Sequence, residues 1–192
     1  MRVLAVLFAV VSGLFLVTAP ASASAPGLWR LTDLAARRVE IADRVAAAKY
    51  GTPSPIDDPV REQQIYDSVA ARAPDLGLAQ ADAVRFFRAQ IEANKLVQRG
   101  LYERWAAHPA EIPSPRPDLA LLRPVIDRLN TDLLTELAAT STIRATRICP
   151  ARQLVSAAVA DVVHHFDALH TRALGTATAA TCADREQRPG GV

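Results

Sequence analysis

Apolar residues recur at intervals of three and four positions along most of the chain, beginning with the segment from Trp29 to Lys49. In this segment the apolar positions are Leu31, Leu34, Ala35, Val39, Ala42, Val45 and Ala46. Such spacing places side chains on one face of a helix, whereas a half-buried strand would alternate strictly. We therefore predict a first helix over this segment, ended by the breaker residues from Gly51 to Pro55.

Two further helices follow along the chain. Asp58 and Pro59 have the form of an N-cap followed by proline at the first helical position, and the helix that they open fades near Ala73. A third, long helix is predicted from about Ala79 to Ala107, because its apolar residues again keep helical spacing. Those residues are Val84, Phe87, Ile91 and Leu96.

The second half of the chain starts with a loop, because four prolines fall between His108 and Pro117. Asp118 then stands at an N-cap position, and a fourth helix is predicted through about Ser141. Its predicted core face consists of Leu122, Val125, Ile126, Leu129, Leu133, Leu134 and Leu137. The region after Cys149 supplies the last one or two helices, and a frayed tail is expected from about residue 183.

No strand pattern or internal repeat interrupts this series, so the fold class predicted is all-α, a single-domain helical bundle of about five to six helices. The 192 residues are 50% hydrophobic and 22% charged, which is typical of one globular domain. A formal net charge of +2 and only 5% aromatic residues argue against a nucleic-acid partner. Of the 22 basic residues only Lys49 and Lys95 are lysines.

Residues 1–23 have the form of a secretory signal. Arg2 is followed by an apolar run from Val3 to Val17 and by small residues that end at Ala23, where we expect cleavage. An uncleaved anchor is the alternative, although the run is short for a membrane span. We therefore expect an exported protein, periplasmic or secreted, with no membrane association after cleavage and a mature domain of residues 24–192.

The mature chain contains two cysteines, Cys149 and Cys182. An oxidising compartment favours a disulfide between them, and two buried free thiols are the alternative. Because the segment between them otherwise has the pattern of one long helix, a disulfide requires it to fold back, with its midpoint near His164, His165 and Asp167.

Several chemistries find no support in the chain. It contains no glycine-rich phosphate loop, no G-x-S-x-G nucleophile motif and no H-E-x-x-H zinc motif. Adjacent histidines, as at His164 and His165, point to different sides of a helix, and a polar turn or a helix surface is the expected setting for this pair. We accordingly predict no metal site and no cofactor.

Polar residues at helical spacing remain. Arg38 and Lys49 are eleven residues apart, which returns a side chain to nearly the same helix face. Asp58, Arg61 and Glu62 fall together in the first turn of the second helix.

Asn94 and Gln98 are four residues apart on the third helix, and Arg123 stands near the start of the fourth. Each polar residue taken singly is compatible with an ordinary surface position. Together they indicate a pocket that suits a small dicarboxylate, because guanidinium groups match carboxylates and a lysine or amide can donate to an ether oxygen.

The order of these residues resembles that of the all-helical, AroQ-type chorismate mutases, specifically their exported gamma subclass. The family pattern is an arginine, a lysine eleven residues later, an aspartate nine further, an arginine three further and then a glutamate. A small polar residue and a Gln or Glu four apart follow on a later helix. The matching positions here are Arg38, Lys49, Asp58, Arg61, Glu62, Asn94 and Gln98.

The likeness extends from about Leu28 to Cys182 and includes Arg123 and the cysteine pair. The chain departs from the pattern at two positions. Asn94 replaces the Ser or Thr common there, and Gln98 is an amide where exported relatives can carry glutamate.

The resemblance implies a chorismate mutase II-like domain that converts chorismate to prephenate without a cofactor. Arg38 and Arg123 would bind the two carboxylates, assisted by Arg61 and Asn94. Lys49 and Gln98 would donate hydrogen bonds to the ether oxygen, and these two and Arg38 are the catalytic residues expected. The ring hydroxyl would be received by Glu62, with Asp58 beside it.

A homodimer is also implied by the resemblance. Two other functions stay open at this point: a non-catalytic periplasmic helical binding or adaptor protein, and a degenerate mutase homologue that binds a small dicarboxylate without turnover.

Overall fold

The computed structural model describes residues 27–183, so the expected signal segment (1–23) and the tail beyond Ala183 lie outside the described residues. The α-helices are α1 (Trp29–Lys49), α2 (Pro59–Arg72), α3 (Gln80–Ala107), α4 (Leu119–Ala139), α5 (Ser141–Arg144), α6 (Cys149–Val163) and α7 (Ala168–Thr178). The four longest predicted helices begin and end within two residues of their expected bounds. The one-turn helix α5 was not expected, and it raises the number of helices in this part of the chain to seven. Residues 27–183 contain no strand, and none of their helices is long and apolar enough to cross a membrane.

Helix α1 lies at the centre of the bundle. It packs against α3, α4, α6 and α7, and every apolar residue of its predicted face is buried. Three of those seven positions are alanines, whose small side chains let the surrounding helices approach closely. The predicted core role of α1 is thus confirmed.

Helix α4 buries a narrower face than its sequence suggests. Leu122, Leu133, Leu134 and Leu137 are buried, but Val125 is 45% exposed, so its predicted core position is wrong. The reason is that α1 is the one long helix among the described elements with extensive contact to α4. A single neighbour covers only a stripe, and Val125 lies at the edge of that stripe.

The predicted disulfide is present, and it closes α6 and α7 into a hairpin. Cys149 and Cys182 are joined with their Cα atoms 5.8 Å apart. The chain reverses between α6 and α7, at the expected position near the midpoint. Here His165 adopts a φ of 52°, and Asp167 caps α7 by accepting two backbone N–H groups. The turn therefore has its own local polar structure.

Helix α7 also packs tightly on α3. Gly100 makes this possible, because a Cβ atom at that position would lie 2.6 Å from the Leu169 side chain. Helices α1, α3 and α7 thus pack closely on one another.

A buried arginine joins three parts of the fold. Arg144, 2% exposed, donates to the carbonyl oxygens of Thr181 and Leu137 and to the carboxylate of Asp82. These bonds tie α5 to α4, to the segment after α7 and to the start of α3. Nothing in the sequence distinguished this arginine from the many others.

Candidate active site

A cavity of about 160 Å³ opens between α1, α2, α3 and α4 and the loop that joins α1 to α2. All the residues assigned from the sequence to substrate binding line this one cavity. They are Arg38, Lys49, Asp58, Arg61, Glu62, Asn94, Gln98 and Arg123. The helical register that suggested the set therefore brings its members to one place, although 85 residues separate the first from the last.

Arg38 is the most deeply buried cation of the cavity. Its exposure is 4%, and its Nε atom has no hydrogen-bond partner within the described residues. The pKa of Arg38 is lowered to about 10, mainly by burial; Asp127 opposes this shift and nearby Arg61 adds to it. A guanidinium in this state retains donors for an anionic ligand.

Lys49, at the end of α1, points back over the cavity. Its Nζ donates to the carbonyl oxygen of Pro55, 2.8 Å away, in the loop between α1 and α2. Burial lowers the pKa of Lys49, and Arg123 adds to that effect while Asp58 opposes it. Since an ammonium has three donors, Lys49 can hold the loop and still reach a ligand.

The first turn of α2 supplies three lining residues. Asp58 caps the helix by accepting from the backbone N–H of Arg61 at 3.0 Å, which confirms the predicted N-cap. The Arg61 guanidinium is ion-paired with Asp127 of α4 at 2.7 Å. Glu62 lies within 3.3 Å of the ammonium of Lys95 on α3. The cap thus fixes the turn that presents Arg61 and Glu62.

Asn94 and Gln98 lie on adjacent turns of α3. The Gln98 Nε2 donates to the Asn94 Oδ1 at 2.7 Å, and Gln98 is 2% exposed. Asn94 in turn donates to the backbone carbonyl of Arg38 at 3.4 Å. These bonds tie the two amides to each other and to α1.

Arg123 of α4 completes the ring of polar groups. Within residues 27–183 neither Arg123 nor Arg38 nor Lys49 forms an ion pair with a carboxylate. Between the polar groups the wall is apolar, formed by Val45, Ile56, Ile65, Ile91, Leu119 and Ile126. Five basic side chains against two carboxylates give the cavity a positive balance, which favours an anionic ligand of more than one charge.

Two residues of the site escaped the sequence interpretation. Lys95 lines the cavity, and Asp127 holds Arg61 from behind. The rarity of lysine in this chain could have drawn attention to Lys95. Whether its side chain faces the cavity, however, depends on how α2 packs against α3. No feature of the sequence distinguished Asp127 from the other acidic residues.

The arrangement suits binding and electrostatic stabilisation of a reacting anion. In the part of the chain that the structure describes, no group of three His, Cys, Asp or Glu side chains is placed to hold a metal ion. Fixed donors around a small cavity can fold a flexible dianion and stabilise charge that develops on one of its oxygens.

Comparison with known proteins gives consistent results. Residues 30–99 match the family model described as chorismate mutase type II. The secreted chorismate mutase of Mycolicibacterium smegmatis is 35% identical over 153 residues, 79% of this chain and 84% of that protein. The secreted chorismate mutase of Mycobacterium tuberculosis is 33% identical over 81% of this chain and 78% of its own length. The crystal structure of chorismate mutase from Burkholderia thailandensis superimposes with a TM-score of 0.77 at 37% identity, covering 81% of this chain and 98% of that one.

Proposed function

The chain belongs to the type II chorismate mutase family, and from that premise we propose that its cavity catalyses the intramolecular rearrangement of chorismate to prephenate. The observation that carries this proposal is the set of three cations, Arg38, Lys49 and Arg123, which face one cavity without carboxylate partners among the described residues. Chorismate has two carboxylates and a reacting ether oxygen, so it offers one acceptor for each cation. The rearrangement requires no covalent intermediate, which agrees with a lining of donors and apolar groups.

Binding of the two carboxylates falls to the guanidinium groups. Arg38 and Arg123 come from helices on different sides of the cavity, so together they can hold the substrate in its folded, reactive conformation. Arg61, kept in place by Asp127, and the amide of Asn94 assist them. Holding the reacting ends together removes much of the entropic part of the barrier.

Lys49 and Gln98 stabilise the ether oxygen as its bond breaks. Both donate hydrogen bonds, and negative charge grows on the ether oxygen as the bond breaks, so their interaction strengthens in the transition state. The ring hydroxyl donates to Glu62, with Asp58 beside it. Jointly these groups have to lower the barrier by roughly 8 kcal/mol, the lower end of the enzymatic range.

The protein is exported, as its secreted relatives are. We propose that residues 1–23 are the signal that is removed after Ala23 and that residues 24–192 form the mature mutase domain. The mass of the secreted protein tests the cleavage site directly, since an uncleaved chain retains the full 20.6 kDa.

We further propose that the protein is a homodimer. Support comes from the outer face of α6 and the residue before it, which is apolar and exposed at Ile148, Val155, Val159 and Val162. These positions repeat at helical spacing, and such a continuous stripe is uncommon on a free surface. Substitution Val159→Glu should convert the dimer to a monomer in sedimentation, whereas Val60→Glu, at a more exposed site on α2, should leave it dimeric. A wild-type monomer at micromolar concentration would contradict the proposal.

The test of the mutase function is the loss of chorismate absorbance with the purified mature protein. Lys49→Ala should abolish turnover, a loss of about 10²-fold or more, because it removes the charged donor to the ether oxygen. Arg37→Ala is the matched control, since Arg37 is an exposed neighbour of Arg38 that pairs with Asp33. Helix content should be retained in both variants.

Other outcomes separate the alternatives. Binding of chorismate without turnover would indicate a degenerate homologue, and neither binding nor turnover would indicate an adaptor protein. If Lys49→Ala keeps kcat/KM within about threefold of the wild type, Lys49 is not the ether-oxygen donor.

A further inference from the structure

Lys95 lies in the wall of the cavity, yet the residue pattern of the family gives it no role. It belongs to α3, its exposure is 8%, and it stands next to Asn94 in the sequence. Burying an ammonium group is unfavourable unless acceptors surround it. The acceptors that surround Lys95 therefore indicate the role of this side chain.

Three carboxylates surround the Lys95 ammonium. Its Nζ lies 3.3 Å from both carboxylate oxygens of Glu62, 2.6 Å from Glu92 and 3.3 Å from Asp57. Burial acts to lower the pKa of Lys95, but the hydrogen bonds to Glu92 and Glu62 outweigh burial and raise it. Lys95 is thus a permanent cation over the neutral pH range.

Only one of these three carboxylates, that of Glu62, lines the cavity. The Glu62 side chain is 19% exposed, whereas those of Glu92 and Asp57 are 47% and 58% exposed. Contact at equal distance with both Glu62 oxygens restrains rotation of the carboxylate. Glu92 and Asp57 lie toward solvent and complete the shell of acceptors around the ammonium.

We propose that Lys95 is a positioning residue, which holds the Glu62 carboxylate in the orientation that accepts the ring hydroxyl and so selects substrates with a free hydroxyl group. This inference rests on the proposed function, in which Glu62 receives that hydroxyl. A carboxylate fixed before binding loses less freedom when the substrate arrives, so the benefit is expressed in binding. An analogue whose hydroxyl is methylated has no proton to donate and gains nothing from the fixed carboxylate.

The test compares chorismate with its ring-hydroxyl methyl ether in three variants. Lys95→Met should lower kcat/KM for chorismate by about tenfold, mainly through KM, while changing the value for the methyl ether by less than about twofold. Lys95→Arg, which keeps a cation beside Glu62, should restore the preference to within about threefold of the wild type. Arg88→Met is the matched control, because Arg88 is an exposed cation two turns earlier on α3 that stacks on Tyr66.

A second measurement asks whether Lys95 acts through Glu62. In a Glu62→Gln background, the further change Lys95→Met should cost less than about twofold, since the positioned carboxylate is already gone. If Lys95→Met loses its helical circular dichroism, Lys95→Gln is compared by the same two criteria.

Equal losses on both substrates would overturn the proposal, because they would mean that Lys95 only joins α2 to α3. So would additive losses in the double variant. Failure of the mutase function itself has a different signature, namely a wild-type protein without turnover of chorismate.

Discussion

Gln98 donates a hydrogen bond to the side chain of Asn94, with 2.7 Å between Nε2 and Oδ1. The Gln98 Oε1 is buried and has no partner among the described residues, so the amide is oriented by Asn94 alone. The asparagine that replaces the usual Ser or Thr thus aims the neighbouring donor. One of the two amide hydrogens of Gln98 is engaged in this bond. Nε2 also makes a long contact of 3.5 Å with the Asn94 backbone carbonyl oxygen, which an ether oxygen of the substrate can replace.

The pH dependence of turnover follows from the amide. Because Gln98 donates at any pH, kcat should be flat from about pH 5 to 8, whereas a carboxylate at this position would have to be protonated to donate. Gln98→Glu should therefore introduce a fall in kcat as pH rises through the pKa of the new carboxyl group. Initial rates at saturating chorismate measure both profiles, and a steep fall of wild-type activity above about pH 6 would contradict the role of Gln98.

Two histidines, His164 directly after α6 and His170 on α7, join this helical hairpin to α1. His164 contacts Glu40 at 2.8 Å and Asp33 at 2.9 Å through its two ring nitrogens. His170 does the same with Asp167 at 2.6 Å and Asp43 at 2.8 Å.

A ring that donates from both nitrogens is an imidazolium. Two arginines also pair with carboxylates that contact these histidines: Arg37 with Asp33, and Arg104 with Asp167. The hydrogen bond to Asp43 is the main cause that raises the pKa of His170 to about 9. Burial disfavours the charged form of His164, but the bonds to Glu40 and Asp33 outweigh it and raise that pKa as well.

Stability should therefore fall on the alkaline side. Both folded-state pKa values are raised, so the contribution is complete below the unfolded histidine value of 6.5 and is lost as pH rises toward about 9 for His170. Denaturant unfolding across this range measures the loss. The double change His164→Gln and His170→Gln should flatten it, whereas His108→Gln, at an exposed position outside the cluster, should not. An unchanged slope in the double variant would contradict the assignment.

Asp167 sets the limit on the acid side. Burial acts to raise its pKa, but hydrogen bonds from His170 prevail and lower it to about 2. The stabilisation from this group is present above its ordinary value of 3.8 and disappears as pH falls toward 2. Asp167→Asn should remove this acid-side dependence and leave the alkaline loss through His164 in place, as unfolding at pH 2 to 5 will show.

Removal of the disulfide should destabilise the protein without impairing catalysis. Cys149 and Cys182 close a loop of 33 residues, which restricts the unfolded chain by roughly 3.7 kcal/mol on the entropy model. Replacement of both cysteines by serine should lower the free energy of unfolding by up to about that amount. Neither cysteine lines the cavity, so kcat should change by less than about twofold. Unaltered stability in the double variant would contradict this prediction, because it would mean that the disulfide does not restrict the unfolded chain.

The buried Arg144 provides a second test of packing. Arg144→Met should cost up to about 3 kcal/mol, because it removes the buried donor to one Asp82 oxygen, while Arg85 stays paired with the other at 2.6 Å. The additional change Asp82→Asn should recover part of that loss, since no buried charge then remains. Denaturant midpoints of the three proteins measure the effect. A loss below about 1 kcal/mol for Arg144→Met would mean that Arg85 alone is enough to compensate the Asp82 carboxylate.

The sequence by itself determined helices α1 to α4, the caps at Asp58 and Asp118 and the two cysteines that could pair. Helical periodicity and capping act over a few residues, so the limits of α1 and the caps at Asp58 and Asp118 follow from local pattern. The spacing of the site residues also follows from it, because each lies at a fixed angle on its own helix.

Tertiary structure decided what lies opposite each helix. Lys95 meets Glu62 across 33 residues, Arg144 meets Asp82 across 62, and His164 meets Asp33 across 131. The exposure of Val125 also depends on the tertiary structure, because α1 covers only part of α4. A helical pattern specifies which face of a helix is apolar. Which polar groups become buried partners depends on how the helices pack, and that is set by the close packing of the whole core.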